Sequence, residues 1–140
     1  MAYMTRYQAT VTISVSGTNT SGSANVMPDN GGWLESVVVR NATANGIITS
    51  AKLTIEQGGR VLWNATSTGA TNTTLAWYPR VRAVNVSASA ITLEENATTP
   101  APLFVKMPIA ALVPINIAVA SGGAVSGGAR SVQVDLYVGG

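Results

Sequence analysis

The stretch Arg6-Tyr7-Gln8-Ala9-Thr10-Val11-Thr12-Ile13-Ser14-Val15-Ser16 alternates apolar and polar side chains without a break. A period of two, carried by β-branched residues, predicts a strand with one buried and one wet face. The cluster Gly17-Thr18-Asn19-Thr20-Ser21-Gly22-Ser23 then predicts a turn. The same alternation returns at the other end of the chain. Val132, Val134, Leu136 and Val138 oppose Ser131, Gln133, Asp135 and Tyr137. These two long strands are free to lie side by side, although no local rule requires it.

Between them the chain reads as further short strands divided by turn residues. Ala24 to Met27 is a short strand, stopped by Pro28-Asp29-Asn30-Gly31-Gly32. Trp33 to Arg40 is a long strand, and Asn41 to Gly46 is a loop. Ile47 to Glu56 is strand-like. Gly58-Gly59 suits a two-residue hairpin turn, so Arg60 to Ala65 folds back on it. Thr66 to Thr74 is a polar loop before Leu75-Ala76-Trp77-Tyr78-Pro79. Val81 to Leu93 alternates, and Glu94 to Pro102 reads as a loop. Leu103 to Met107 forms a short strand ended by Pro108. Ile109 to Val113 is a helical turn or an approach segment, and Pro114 to Ala120 is a strand. Gly122 to Gly128 is a flexible connection.

Short strands at regular spacing predict an all-β, antiparallel β-sandwich of about eight strands. A jelly-roll-like arrangement of two four-stranded sheets fits best, with an immunoglobulin-like sandwich as the alternative. At 140 residues the chain is read as a single domain over residues 1–140, with 1–5 as a candidate extended N-terminal arm.

Composition narrows the function. The chain has no His, no Cys and six acids, so most neutral-pH chemistry lacks its usual groups. Lys52 and Lys106 sit in ordinary strand patterns. Glu94 and Glu95 are adjacent and would face opposite ways on a strand. Asp29-Asn30 and Glu94-Glu95-Asn96 lack the spacing of a calcium loop. The Gly pairs near residue 125 lack the Lys-Ser/Thr of a phosphate loop. The expectation is therefore no enzyme, no cofactor and no metal. Scattered Lys and Arg predict no nucleic-acid stripe. No secretory leader and no membrane span are expected, since neither an apolar opening nor a run of about 18 apolar residues is present.

Charged residues make up 10% of the chain, against about 25% in average soluble domains. So little charge predicts a surface covered by copies of itself or by a partner. The densest aromatic and cationic cluster is Trp77, Tyr78, Arg80 and Arg82, the residue types that anchor interfaces. Tyr3, Arg6 and Tyr7 of the N-terminal segment form a second candidate contact. Trp33 and Trp77 are candidates for a sugar platform.

The middle of the chain, Leu53-Thr54-Ile55-Glu56-Gln57-Gly58-Gly59-Arg60-Val61-Leu62-Trp63-Asn64-Ala65 followed by Trp77-Tyr78-Pro79-Arg80, resembles a family of small tailed-bacteriophage virion proteins. The order of the strand from Pro114, the Gly-rich loop and the terminal strand matches as well. Relatives continue after Tyr-Pro-Arg with a Pro- and His-containing loop, whereas Val81-Arg82-Ala83-Val84-Asn85-Val86 here runs on as a strand. The resemblance implies a capsid cement or decoration protein on the outer surface of the head, made in the host cytoplasm. It would act as a homotrimer or homodimer and bind the major capsid protein, with no nucleic acid and no membrane. A tail, collar or fibre component, or a carbohydrate-binding module on the virion, is the alternative.

Overall fold

A computed structural model describes residues 3–13, 21–41, 46, 51–68, 72–82, 92–93, 101–102, 104–121 and 129–140. Among them there is no helix. The strands are β1 (Met4–Ile13), β2 (Ser21–Val26), β3 (Gly32–Asn41), β4 (Lys52–Gln57), β5 (Arg60–Ala65) and β6 (Thr74–Trp77). They continue with β7 (Arg80–Arg82), β8 (Thr92–Leu93), β9 (Ala101–Pro102), β10 (Phe104–Ile109), β11 (Ile115–Ala120) and β12 (Arg130–Gly139). Every strand ladder is antiparallel.

The strands build two main sheets. One runs β1-β12-β3-β10-β7, with β6 also on β3; the other runs β2-β11-β4-β5. The pairing is nested. The first strand pairs with the last, β2 with β11, β3 with β10, and β4 with its neighbour β5. A long hairpin rolled up in this way is a jelly roll. It departs from the immunoglobulin arrangement, where the first two strands share a sheet. The two long alternating strands do lie side by side, from Met4 opposite Gly139 to Ile13 opposite Arg130.

Alternation explains the core. Val11 and Ile13, Val37 and Val39, Leu53 and Ile55, Ile115, Ile117 and Val119, and Val132, Val134 and Leu136 are sealed between the sheets. Each comes from the apolar register of its strand, so both inner faces are set by period two. The hairpin of β4 and β5 forms as its glycines require. Gly58 and Gly59 have φ of 58° and 79°, the pair of positive values of a type I′ turn. A bulge follows: Ile55 faces Trp63, but Glu56 faces Val61. Leu62 is the extra residue, and it is buried while Val61 is exposed.

Several boundaries differ from the sequence reading. Pro108 does not end its strand, because β10 continues to Ile109. In a strand a residue's N–H and C=O point to one side. The Pro108 carbonyl accepts from Arg60 rather than from β3, so its missing donor also faces away from that ladder. Residues 109–113 form neither a helical turn nor a plain approach. Ile109 closes β10, and Leu112 sits at φ 58° with its N–H donated to the Pro28 carbonyl at 2.8 Å. Ala101 and Pro102, expected in a loop, pair with Thr92 and Leu93. Of the candidate arm at 1–5, residues 1 and 2 lie outside the described residues. Met4 and Thr5 are instead zipped onto Gly139 and Val138, and the Tyr3 carbonyl accepts the Gly140 N–H at 3.1 Å. The terminal strand offers backbone partners that a projecting arm would lack. The expected strand between residues 83 and 91 and the Gly-rich connection at 122–128 lie outside the described residues.

The turn at 110–113 is clamped by Gln57, itself buried at the end of β4. Its amide donates to the carbonyls of Ala110 at 2.8 Å and Val113 at 2.9 Å, and its oxygen accepts the Ala110 N–H at 2.9 Å. Gln57→Leu fills similar space but leaves three backbone groups without these partners. The expected loss is about 3 kcal/mol, from the cost of orphaned buried polar groups. Urea unfolding should show an earlier midpoint at unchanged slope. A loss below about 1 kcal/mol would mean that water replaces the clamp.

Candidate interaction surface

Three consecutive strands of the larger sheet, β3, β10 and β7, carry the surface of interest. In β3 the adjacent pair Trp33 and Leu34 cannot both face the core. Leu34 takes the buried register, opposite Val138, and Trp33 is left on the outer face, opposite Gly139 and Pro108. The ladder then slips by one residue. Tyr137 faces Ser36 while Val138 faces Leu34, which leaves Glu35 as a bulged residue beside Trp33.

In β10, Met107 and Ile109 point inward and are buried. Phe104 and Lys106 therefore share the outer register, opposite Arg82 and Arg80 of β7. Trp33, Arg80, Phe104, Val105 and Lys106 line a shallow hollow of about 400 Å³. Trp33 is 47% exposed, Phe104 54% and Val105 40%. Beside the buried Leu34, Val37, Val39, Met107 and Ile109 of β3 and β10, this is a concentration of wet apolar surface.

Charge is organised around one carboxylate. Lys106 Nζ lies 2.6 Å from Glu35 Oε1, and Arg80 Nη2 lies 4.0 Å from Glu35 Oε2. Arg80 Nη1 donates to the carbonyls of Pro79 at 2.7 Å and Glu35 at 3.4 Å. The guanidinium is thus held mainly by uncharged acceptors, while Glu35 is taken up by the lysine. Further along the same face Asp135 is fully buried and sits 3.4 Å from Arg40 Nε, with the Gln133 amide as a second partner. That acid is committed to its own pair.

The sequence-derived candidates separate. Arg80 belongs to the hollow. Arg82 is opposite Phe104 by register, and its side chain lies outside the described residues. Tyr78 is 69% exposed on the link between β6 and β7. Trp77 faces Val37 and packs inward, its ring 6.4 Å from that of Trp63 at a 47° tilt. Half-buried against the core, Trp77 offers no open platform alongside Trp33. A cleft of about 390 Å³ between β5 and β6 holds this tryptophan pair, with Leu75, Thr66 and Ser67.

Tyr3 and Tyr7 act largely as straps. The Tyr3 hydroxyl donates to the Gly31 carbonyl at 2.8 Å, and the Tyr7 hydroxyl accepts the Asp29 N–H at 3.2 Å. Together they fasten the turn at 28–32 to β1. Arg6 is exposed on the outer face, opposite Tyr137. Glu35, Phe104, Val105 and Lys106 were missed by the sequence reading. The Trp33-Leu34 doublet forces one large apolar side chain outward and so signalled Trp33, but nothing local signalled these four.

No family model matches the chain, and no curated protein matches it. Among solved structures it is similar to an exo-β-1,3-galactanase from Phanerochaete chrysosporium, determined with galactose. The identity is 14%, the TM-score is 0.35, and the match covers 97% of this chain. The chain spans only 29% of that enzyme's length. A likeness this weak carries no argument about chemistry.

Proposed function

We propose that this chain is an assembly protein of a tailed-phage virion, a cement or decoration protein that binds the outer surface of the assembled head. The observation that carries the reading is the hollow itself. Exposed Trp33, Phe104 and Val105 surround a pre-positioned Arg80 on a rigid sheet. Trp and Arg together are the composition of an interface hot spot. The rest of the chain suits an assembly role, being poor in charge and without His or Cys. A jelly roll is a common architecture in capsid and lectin domains, and this supports the reading only by analogy.

A protein that binds the assembled shell and not its free subunits stabilises that shell by mass action. If it self-associates, each unit grips several subunits, and avidity grows without new contacts. Light scattering is expected to give a dimer or trimer mass. Co-sedimentation with heads stripped of this chain is expected to be saturable, and rebinding should raise the temperature at which the heads rupture. A protein that neither sediments with those heads nor protects them would sink the proposal. Retention on a glycan array in place of shell binding would move the chain to the carbohydrate-binding reading, for which Trp33 remains the exposed aromatic.

A further inference from the structure

Resting on the assembly reading, the geometry points to the chemistry of the partner: we infer that the hollow takes a protein segment that sets a carboxylate beside an apolar side chain. Among the described residues, two cations and one acid meet there. Glu35 is spent on Lys106 at 2.6 Å, and its other oxygen is 4.0 Å from Arg80, at the limit of an ion pair. The bonds from Arg80 Nη1 go to carbonyl oxygens, which orient the fork without neutralising it. The Arg80 side chain is 32% exposed, so part of the fork remains open to a second molecule.

A planar guanidinium oriented through Nη1, with Nη2 only at the edge of an ion pair, is pre-organised for an incoming carboxylate. The walls are Trp33, Phe104 and Val105, which exclude water from such a pair and ask for an apolar neighbour. Among the described residues, Asp135, the other acid on this face, is buried against Arg40 and cannot serve. Among the described residues the hollow therefore carries one more cation than acid, and Glu35 tunes it: the acid holds Lys106 in place and competes with the incoming carboxylate for Arg80. A nucleic acid could set a phosphate on the cations and stack a base on Trp33, but the Lys and Arg of this chain are scattered and supply no basic stripe to follow its backbone. The partner is accordingly assigned as protein.

The test uses the full chain immobilised and panned against a random heptapeptide library, with Arg80→Glu, Arg80→Gln and Glu35→Gln in parallel. The wild type is expected to enrich peptides in which Asp or Glu lies within two residues of an aromatic or aliphatic side chain. Synthetic copies should bind more weakly as NaCl rises. Arg80→Glu should weaken them by about 30-fold or more, the scale of a desolvated charge pair. Arg80→Gln, which leaves the fold less disturbed, should cost about 10-fold. Glu35→Gln removes the internal competitor and should tighten binding by about 3-fold, the scale of an exposed pair.

Enrichment of neutral or basic peptides, no enrichment over the Arg80→Glu control, or affinity indifferent to salt would each overturn the inference. So would heads that bind Arg80→Glu and wild type equally, since their contact would then lie elsewhere. Acidic–apolar peptides recovered by a protein that ignores heads would leave the inference standing and remove the capsid reading. The two failures are thereby kept apart.

Discussion

Ile117→Ala is expected to cost about 4 kcal/mol of folding stability, within the range seen when a buried aliphatic side chain is cut to a methyl. Ile117 is fully buried in β11, which pairs with β2 on one side and β4 on the other. A central strand has little freedom to move into the cavity, because both of its ladders hold it in place. Of its cross-strand partners, Ile55 is β-branched and stiff and Ala24 is too short to reach in, so the void is filled poorly. For a chain of this length the loss corresponds to a fall in Tm of roughly 15 °C. The neighbouring residue supplies the contrast. Asn116 points outward and donates to Asn25 at 2.9 Å near the surface. Asn116→Ala should cost about 1 kcal/mol or less. Similar melting temperatures for the two variants would mean that the inner and outer faces of β11 have been assigned the wrong way round.

Trp33→Ala combined with Phe104→Ala should leave the fold nearly intact and abolish assembly. Both side chains are about half exposed, so their loss removes little core packing. If they anchor the contact, each truncation costs about 2 kcal/mol or more at the interface, and together they lower affinity by roughly 1,000-fold. The readouts are melting temperature, solution mass and co-sedimentation with heads. Val61→Ala is the control. Val61 is 43% exposed but lies on β5, in the other sheet. Unchanged sedimentation for the double variant, or equal losses for Val61→Ala, would exclude the hollow as the contact surface.

The two halves of the hollow were not equally legible. The Trp33-Leu34 doublet already required one large side chain to face outward, so an exposed aromatic was implied by local pattern. That Phe104 and Lys106 stand beside it depends on Met107 pairing with Leu34 and Lys106 with Arg80. Such pairings use backbone groups common to all residues, so little in the side chains announces them. Trp77 shows the same limit from the other side. It looked like an interface residue next to Tyr78 and Arg80, yet its strand puts it opposite Val37 and against Trp63. Along a strand, neighbours alternate faces, and closeness in sequence is a poor guide to a shared surface. The hydrogen bonds of the N-terminal tyrosines were illegible for a related reason: their partners, Gly31 and Asp29, lie in a distant turn.

What the sequence determined by itself was the long strands, their buried registers, and the Gly58-Gly59 hairpin. Periodicity and turn stereochemistry act over a few residues and are written locally. What only the tertiary structure decided was the nested pairing of β1 with β12, β2 with β11 and β3 with β10, the bulges at Glu35 and Leu62, and the meeting of Trp33, Arg80 and Phe104. Those depend on which apolar faces can close over one another across the whole chain. The contest is settled by packing between residues far apart in sequence.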